Sequence, residues 1–197
     1  MKILEKVHED WIPIIRTYLH QEPLSTLFNE ILPNISYKPE KENIFNIFTM
    51  PLKDIKVVIL HLEPYPYYTN KVRDFSEWEK QGVFILNTSL TSEVSNMESH
   101  YEYWENFIKA VIRHISYYHP CVWLIPNTRN IMKFKNSIVN NPFFVEGYNK
   151  ELIENIPINS DWNYIFTKLG NNNDSLETYY YINSILKQMN INEIKWQ

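Results

Sequence analysis

Glycine is nearly missing from this chain: its 197 residues include only Gly82, Gly147 and Gly170. A P-loop or a dinucleotide-binding fingerprint needs several glycines close together, so nucleotide-cradling enzymes of those kinds are excluded. Cysteine is scarcer still. Cys121 stands alone in the apolar run Pro120-Cys121-Val122-Trp123-Leu124-Ile125, where it cannot found a disulfide framework and reads as a small buried hydrophobe. A reducing compartment fits. Positive charge is also short: 19 Lys and Arg against 23 Asp and Glu leave a net charge of −4. That argues against a strong grip on the DNA backbone, because sequence-independent affinity comes from Lys and Arg neutralising phosphates. No run reaches transmembrane length, and Met1 to Asp10 carries charges throughout without the apolar core of a signal peptide. The expectation is a soluble, intracellular protein with no membrane partner. The six histidines show no metal-ligand spacing, so neither a metal nor a cofactor is expected.

What the chain does have is apolar and aromatic material. At 44% hydrophobic and 15% aromatic it can bury one sizeable core and is short for two, so residues 1–197 are expected to form one domain. The organising stretch runs from Asp54-Ile55-Lys56-Val57-Val58-Ile59-Leu60 into His61-Leu62-Glu63-Pro64-Tyr65-Pro66. A β-branched run that stops at a polar, proline-stiffened loop reads as a buried strand delivering that loop to one edge of a sheet. Ligand sites in open α/β sheets usually lie at such strand ends, although a core strand followed by a turn would look the same.

Before this stretch, apolar residues from Trp11 to Leu32 recur at helical spacing interrupted near Pro23, predicting two amphipathic helices. After it come a second apolar strand within Gln81 to Thr91, and a helix on which Trp104, Phe107, Ile108, Val111 and Ile115 share one face. Cys121 to Ile125 is a third strand, and Asn141 to Lys150 a fourth with its loop. His114 is expected on a helix flank and His119 in the turn that follows.

The blocks together resemble the family 1 uracil-DNA glycosylases. Val57-Val58-Ile59-Leu60-His61-Leu62-Glu63-Pro64-Tyr65 is similar to the family's V-V-I-L-G-Q-D-P-Y, and the proline after Tyr65 resembles the poxvirus branch. Upstream, Tyr37 to Phe48 is similar to Y-P-P-x-x-x-x-F-N-A-F. Gln81-Gly82-Val83-Phe84-Ile85-Leu86-Asn87-Thr88-Ser89-Leu90-Thr91 resembles Q-G-V-L-L-L-N-T-x-L-T, the strongest single match. Ser99-His100 with Trp104-Glu105 resembles S-H-x-x-x-x-W-E, with His100 as polar scaffolding, and Ile194-Lys195-Trp196 resembles the closing I-D-W. The resemblance implies a three-layer α/β/α sandwich around a mostly parallel, four-stranded central sheet.

It also implies a uracil pocket made by Leu62, Tyr65 and Asn87, with Glu63 and Asn149 at the two catalytic positions. An asparagine amide is both donor and acceptor and can satisfy the O4 and N3–H pair of uracil. An asparagine ending a strand also simply caps turns. Removing uracil requires flipping the nucleotide out of the stack and stabilising charge as the bond breaks. Here Glu63 stands where the family has Asp, one methylene longer, and a misplacement of about 1 Å can cost on the order of a hundredfold. Asn149 stands where the family has the histidine that donates to uracil O2, and Lys150 where its proline falls. Losing one such donor costs roughly a hundred- to a thousandfold. His61 and Leu62 replace the glycine and glutamine before the carboxylate, crowding the approach to the base. Only Thr69 to Ser76 remains of a longer connection that carries the family's base-stacking ring, for which Phe75 is a candidate although packing is the commoner role. Pro126 replaces a phosphate-contacting glycine and has no amide hydrogen to offer. Arg129, Lys133 and Lys135 form a modest basic cluster, and residues 151–174 read as an insertion whose Trp162, Tyr164 and Phe166 are available for packing or a partner.

The resulting expectation is a glycosylase scaffold with a decayed catalytic site, acting by binding a protein partner, DNA through weakened contacts, or both, in replication, repair or as a decoy. The alternative is a divergent, slow uracil-DNA glycosylase using Glu63, and a third is a shared architecture whose cleft serves another ligand.

Overall fold

The structure, a computed structural model, describes residues 2–61, 75–94, 96, 98–126, 132–145, 155–168 and 176–196. Helix α1 spans Ile12–Leu19, with Pro13 in its first turn, where a missing N–H does no harm. The helical spacing beyond Pro23 is realised differently from the expected second helix. It breaks into a single turn, α2 (Leu24–Thr26), a wide π-turn (Leu27–Ile31) and a 3₁₀ turn (Leu32–Asn34). Pro33, with no backbone donor, sits in the last of these and cannot continue an α-helical ladder. Leu24, Leu27 and Leu32 are buried nonetheless.

Among the described residues five strands make the main sheet: β2 (Val57–His61), β3 (Val83–Asn87), β5 (Val122–Pro126), β6 (Pro142–Val145) and β7 (Asn163–Lys168). Their order is β3-β2-β5-β7-β6 and every pairing is parallel. Two short strands, β1 (Tyr37–Lys38) and β4 (Ser92–Glu93), pair antiparallel as a separate ribbon. The helices that complete the description are α3 (Ser76–Glu79), α4 (Tyr101–Tyr118) and α5 (Leu176–Gln188).

Alternation along the strands creates two cores. Val58, Leu60, Phe84, Leu86, Trp123, Ile125 and Ile165 face a layer built from Trp11, Trp104, Phe107, Ile108 and Val111. Their neighbours Val57, Val83, Val122, Leu124, Tyr164 and Phe166 face Ile182, Ile185 and Leu186 of α5. A sheet covered on both faces needs apolar residues at consecutive positions, which is why these strands read as continuous runs. This is the three-layer α/β/α arrangement. The first core is aromatic at its centre: Trp11 stacks on Phe84 at 5.5 Å and meets Phe48 edge-on at 5.3 Å, while its indole N–H donates to the Met50 carbonyl at 2.7 Å. The second closes on the C-terminal segment, where Trp196 stacks on Tyr179 at 4.6 Å and its Nε1–H donates to Asn183 Oδ1 at 3.1 Å.

The sheet has one strand more than expected, and the extra strand changes which segment neighbours β5. Residues 163–168, expected within an insertion, form β7 and pair with β5, while the expected fourth strand became β6 at the sheet edge. Exposure explains the order. Tyr164, Ile165 and Phe166 are fully buried on both faces, as an interior strand requires, whereas β6 opens with an exposed Pro142 and leaves Phe144 38% exposed. A proline that cannot donate belongs on such an edge. Tyr164 and Phe166 are therefore core, and Trp162 stacks on Phe143 at 5.5 Å instead of standing free. Among the described residues no helix is long and apolar enough to cross a membrane.

Candidate functional site

Because the five strands are parallel, their carboxyl ends gather on one edge of the sheet. There β2 ends on His61 and β3 on Asn87, paired in register. The next rung is held by the Thr88 N–H, which donates to the His61 carbonyl at 2.8 Å. Both side chains line a cavity of about 170 Å³ with Phe75, Glu79, Ile85 and Leu90. Among the described residues the Asn87 amide has no hydrogen-bond partner in the protein, so its donor and acceptor are both available to a ligand.

The turn that carries Asn87 is built from buried polar residues. Ser89 Oγ donates to the Thr91 carbonyl at 2.7 Å, and Glu93 N–H to Ser99 Oγ at 2.9 Å. Thr91 Oγ1 receives the Trp104 Nε1–H at 2.8 Å and lies 3.0 Å from His100 Nδ1. His100, expected as polar scaffolding, is 1% exposed, and its Nε2 has no partner among the described residues. Burial pushes its imidazole below the ordinary value of 6.5, against a weaker opposing pull from Glu93. Burial does the same to His114, opposed by Asp10. The unfolded chain therefore binds these protons more readily. The associated stability is fully present above pH 6.5 and is lost as pH falls from there through the folded-state values. We expect the urea midpoint to drop between pH 7 and pH 5, and His100→Gln to flatten that drop; equal slopes in both proteins would assign it to other groups.

Of the residues predicted for the site, Asn87 is placed at the strand end as expected. Leu62, Glu63, Tyr65 and Asn149 lie outside the described residues. Phe75 packs on Trp78 at 5.0 Å, the commoner of the two roles considered for it, and it also lines the cavity. Glu79 was not predicted: on α3 it belongs to an ordinary amphipathic turn, and no local signal marks it. Of the basic cluster, only Lys133 is ion-paired among the described residues. Lys133 pairs with Glu105 and sits 4.5 Å over the Tyr101 ring, and Lys135 sits 3.8 Å over Phe144, while Arg129 is outside the described residues. Hydrogen bonds from Lys109 and then Lys133 hold Glu105 below the usual carboxylate range. His119 caps α4 with Nε2 2.6 Å from the Ile55 carbonyl oxygen. Cys121 is buried, which raises its thiol pKa far above the ordinary value. No group of three or more His, Cys, Asp or Glu suited to a metal occurs among the described residues.

No family model matches the chain. Individual proteins do. A uracil-DNA glycosylase of Campylobacter jejuni (strain 81-176) is 29% identical over 151 residues, 56% of this chain and 65% of its own length. This chain thus spans less than two thirds of that relative's length. A uracil-DNA glycosylase of Francisella philomiragia is 33% identical over 152 residues, 58% of this chain and 70% of its own length. Among solved structures, mimivirus uracil-DNA glycosylase superposes with a TM-score of 0.70 at 14% identity, covering 98% of this chain and 88% of that one. A mimivirus variant solved with UGI gives a TM-score of 0.68 at 14% identity, covering 98% of this chain and 90% of that one. The mimivirus likeness shows the fold, and 33% identity over 70% of the Francisella protein shows more: the chain belongs to the uracil-DNA glycosylase superfamily, as a divergent member.

Proposed function

We propose that this protein is a glycosylase scaffold that binds rather than cuts. It takes a DNA base into the cavity at Asn87, engages a protein partner, or does both. The observation that carries this reading is the unpartnered Asn87 amide in a small, mostly apolar cavity at the strand ends, because a base-reading group is kept while the catalytic positions are changed. Glu63 and Asn149 occupy those positions in the sequence, and the two losses should compound. Weak backbone binding is supported by the net charge of −4 and by the intramolecular use of Lys133 and Lys135. A protein partner is supported by likeness, since a mimivirus neighbour was solved in complex with UGI.

The second reading, a slow uracil-DNA glycosylase using Glu63, is favoured by the same Asn87 and by the retained Pro64-Tyr65 pair. Uracil release separates the two. With single-stranded and duplex uracil-containing oligonucleotides at high protein concentration, we expect no release beyond that given by Glu63→Gln. Release that disappears in that variant would make the protein an enzyme with a working glutamate.

A further inference from the structure

We propose that Asn43 is a second base-contacting residue, whose amide NH₂ donates to a ring carbonyl in the cavity that Asn87 lines. The inference rests on the reading of that cavity as a base site. Asn43 ends the 3₁₀ turn Lys41–Asn43, ahead of β2, and Asn87 ends β3, so two separate elements bring amides to one cavity. Asn46, on the next 3₁₀ turn (Asn46–Thr49), also lines it, and its Nδ2–H donates to Asn43 Oδ1 at 3.0 Å. An amide carries its oxygen and its nitrogen on opposite arms, so this bond fixes which arm of Asn43 is left for a ligand. Among the described residues the Asn43 NH₂ has no partner, whereas His61 and Glu79, the other polar side chains of the lining, already interact within the protein.

Size and chemistry narrow the ligand. The cavity's 170 Å³ falls below the roughly 300–1,000 Å³ of drug-sized pockets, so it suits a single ring and excludes a whole nucleotide. Ile44, Phe75, Ile85 and Leu90 supply apolar walls. Asn46, Ile47 and Glu79 also line a neighbouring groove of about 780 Å³, so the cavity opens on their side. Asn46 and Glu79, both exposed, therefore stand at the mouth and not against the ring. Inside, Asn87 offers a donor and an acceptor together, and Asn43 offers a donor. A ring edge that alternates carbonyl, N–H and carbonyl uses all three: Asn87 takes the N–H and one carbonyl, and Asn43 takes the other. Uracil has that edge. An abasic site leaves both amides unpaired, and a ring with amino groups in place of the carbonyls turns donors against donors. The second donor thus comes from a turn ahead of β2, at a position to which the family resemblance assigns no role.

Fluorescence anisotropy tests this with single-stranded oligonucleotides carrying either one 2′-fluorinated uridine, whose glycosidic bond resists cleavage, or one tetrahydrofuran abasic analogue. We expect the unsubstituted protein to prefer the uracil probe, and Asn43→Ala to reduce that preference about fivefold, the worth of one hydrogen bond. Asn43→Asp should lose more than Asn43→Ala, because it sets a carboxylate against a carbonyl. Asn46→Ala should lose part of the preference, because the Asn43 amide is no longer held. The bond between the two asparagines is exposed, so these variants keep the fold, which an unchanged urea midpoint checks. If Asn87→Ala abolishes the preference while Asn43→Ala and Asn43→Asp both leave it unchanged, the role of Asn43 is overturned with the base-site reading intact. A protein with no preference for uracil overturns both.

Discussion

Asn163→Ala is expected to destabilise the protein by about 3–5 kcal/mol, enough to consume much of a typical domain's stability. Asn163 opens β7, is fully buried, and joins segments that are distant in sequence. Its Oδ1 accepts from Cys121 N–H at 3.2 Å and from Trp123 Nε1–H at 2.8 Å. Its Nδ2 donates to the carbonyls of Ser116 at 2.9 Å, Val139 at 3.0 Å and Asn140 at 3.0 Å. One amide thus satisfies the end of α4, the start of β5 and the approach to β6. Truncation strands two donors and the Ser116 carbonyl in the buried interior, with the Val139 and Asn140 carbonyls nearer the surface, and each buried group costs about 1–3 kcal/mol when left unpaired. Relaxation keeps the total below their sum. Asn163→Asp should fare no better, because a carboxylate keeps the acceptors but faces three carbonyl oxygens. Urea denaturation measures the effect as a shift in midpoint at unchanged slope. A loss under about 1 kcal/mol would mean that water replaces these bonds and that the order of β7 and β6 has another cause.

The same asparagine explains where the sequence ceased to be legible. Strands β2, β3 and β5 and helix α4 could be read because each carries its burial pattern within its own residues. Cys121 and Trp123 belong to a legible strand, but their bonds to a residue about forty positions later do not appear in any local pattern. Pro142-Phe143-Phe144-Val145 and Asn163-Tyr164-Ile165-Phe166 are equally good short strands by composition. The choice of interior strand depends on long-range polar contacts and on which segment tolerates an edge. Asn87 was identifiable because its whole block resembles a known motif, whereas His61 read only as crowding. Its relation to Asn87 is a matter of cross-strand register, which needs the pairing of β2 with β3. Leu32 and its neighbours kept their burial but not their helix, since an apolar spacing constrains which face is covered more tightly than it constrains the hydrogen-bond ladder.

Gly82→Ala is expected to cost about 3 kcal/mol, the other large effect, and to loosen the strand that carries Asn87. In a chain with so little glycine, this one stands where no other residue fits: its φ is +94°, a left-handed conformation that L side chains rarely adopt. A methyl group there would overlap the Asp54 carbonyl oxygen, which is backbone and cannot swing aside, and would press on the Lys56 side chain at 3.1 Å. The Gly82 carbonyl accepts both Lys56 N–H at 2.8 Å and Val57 N–H at 3.2 Å, so the residue locks the starts of β3 and β2 together. Its neighbour Gln81 ties the same corner to the C-terminal segment, accepting Lys195 N–H at 2.8 Å. Displacing Gly82 therefore disturbs the register that brings His61 opposite Asn87 at the far end of the same two strands. Thermal unfolding of Gly82→Ala beside Gln81→Ala separates the contributions, because the second removes only exposed hydrogen bonds, to Glu77 and Lys195, and should cost roughly 1 kcal/mol or less. Similar losses in the two variants would show that the corner yields to a side chain. A much larger loss for Gly82→Ala, with weakened binding of a uracil-containing oligonucleotide in the fraction that stays folded, would tie this backbone constraint to the geometry of the cavity.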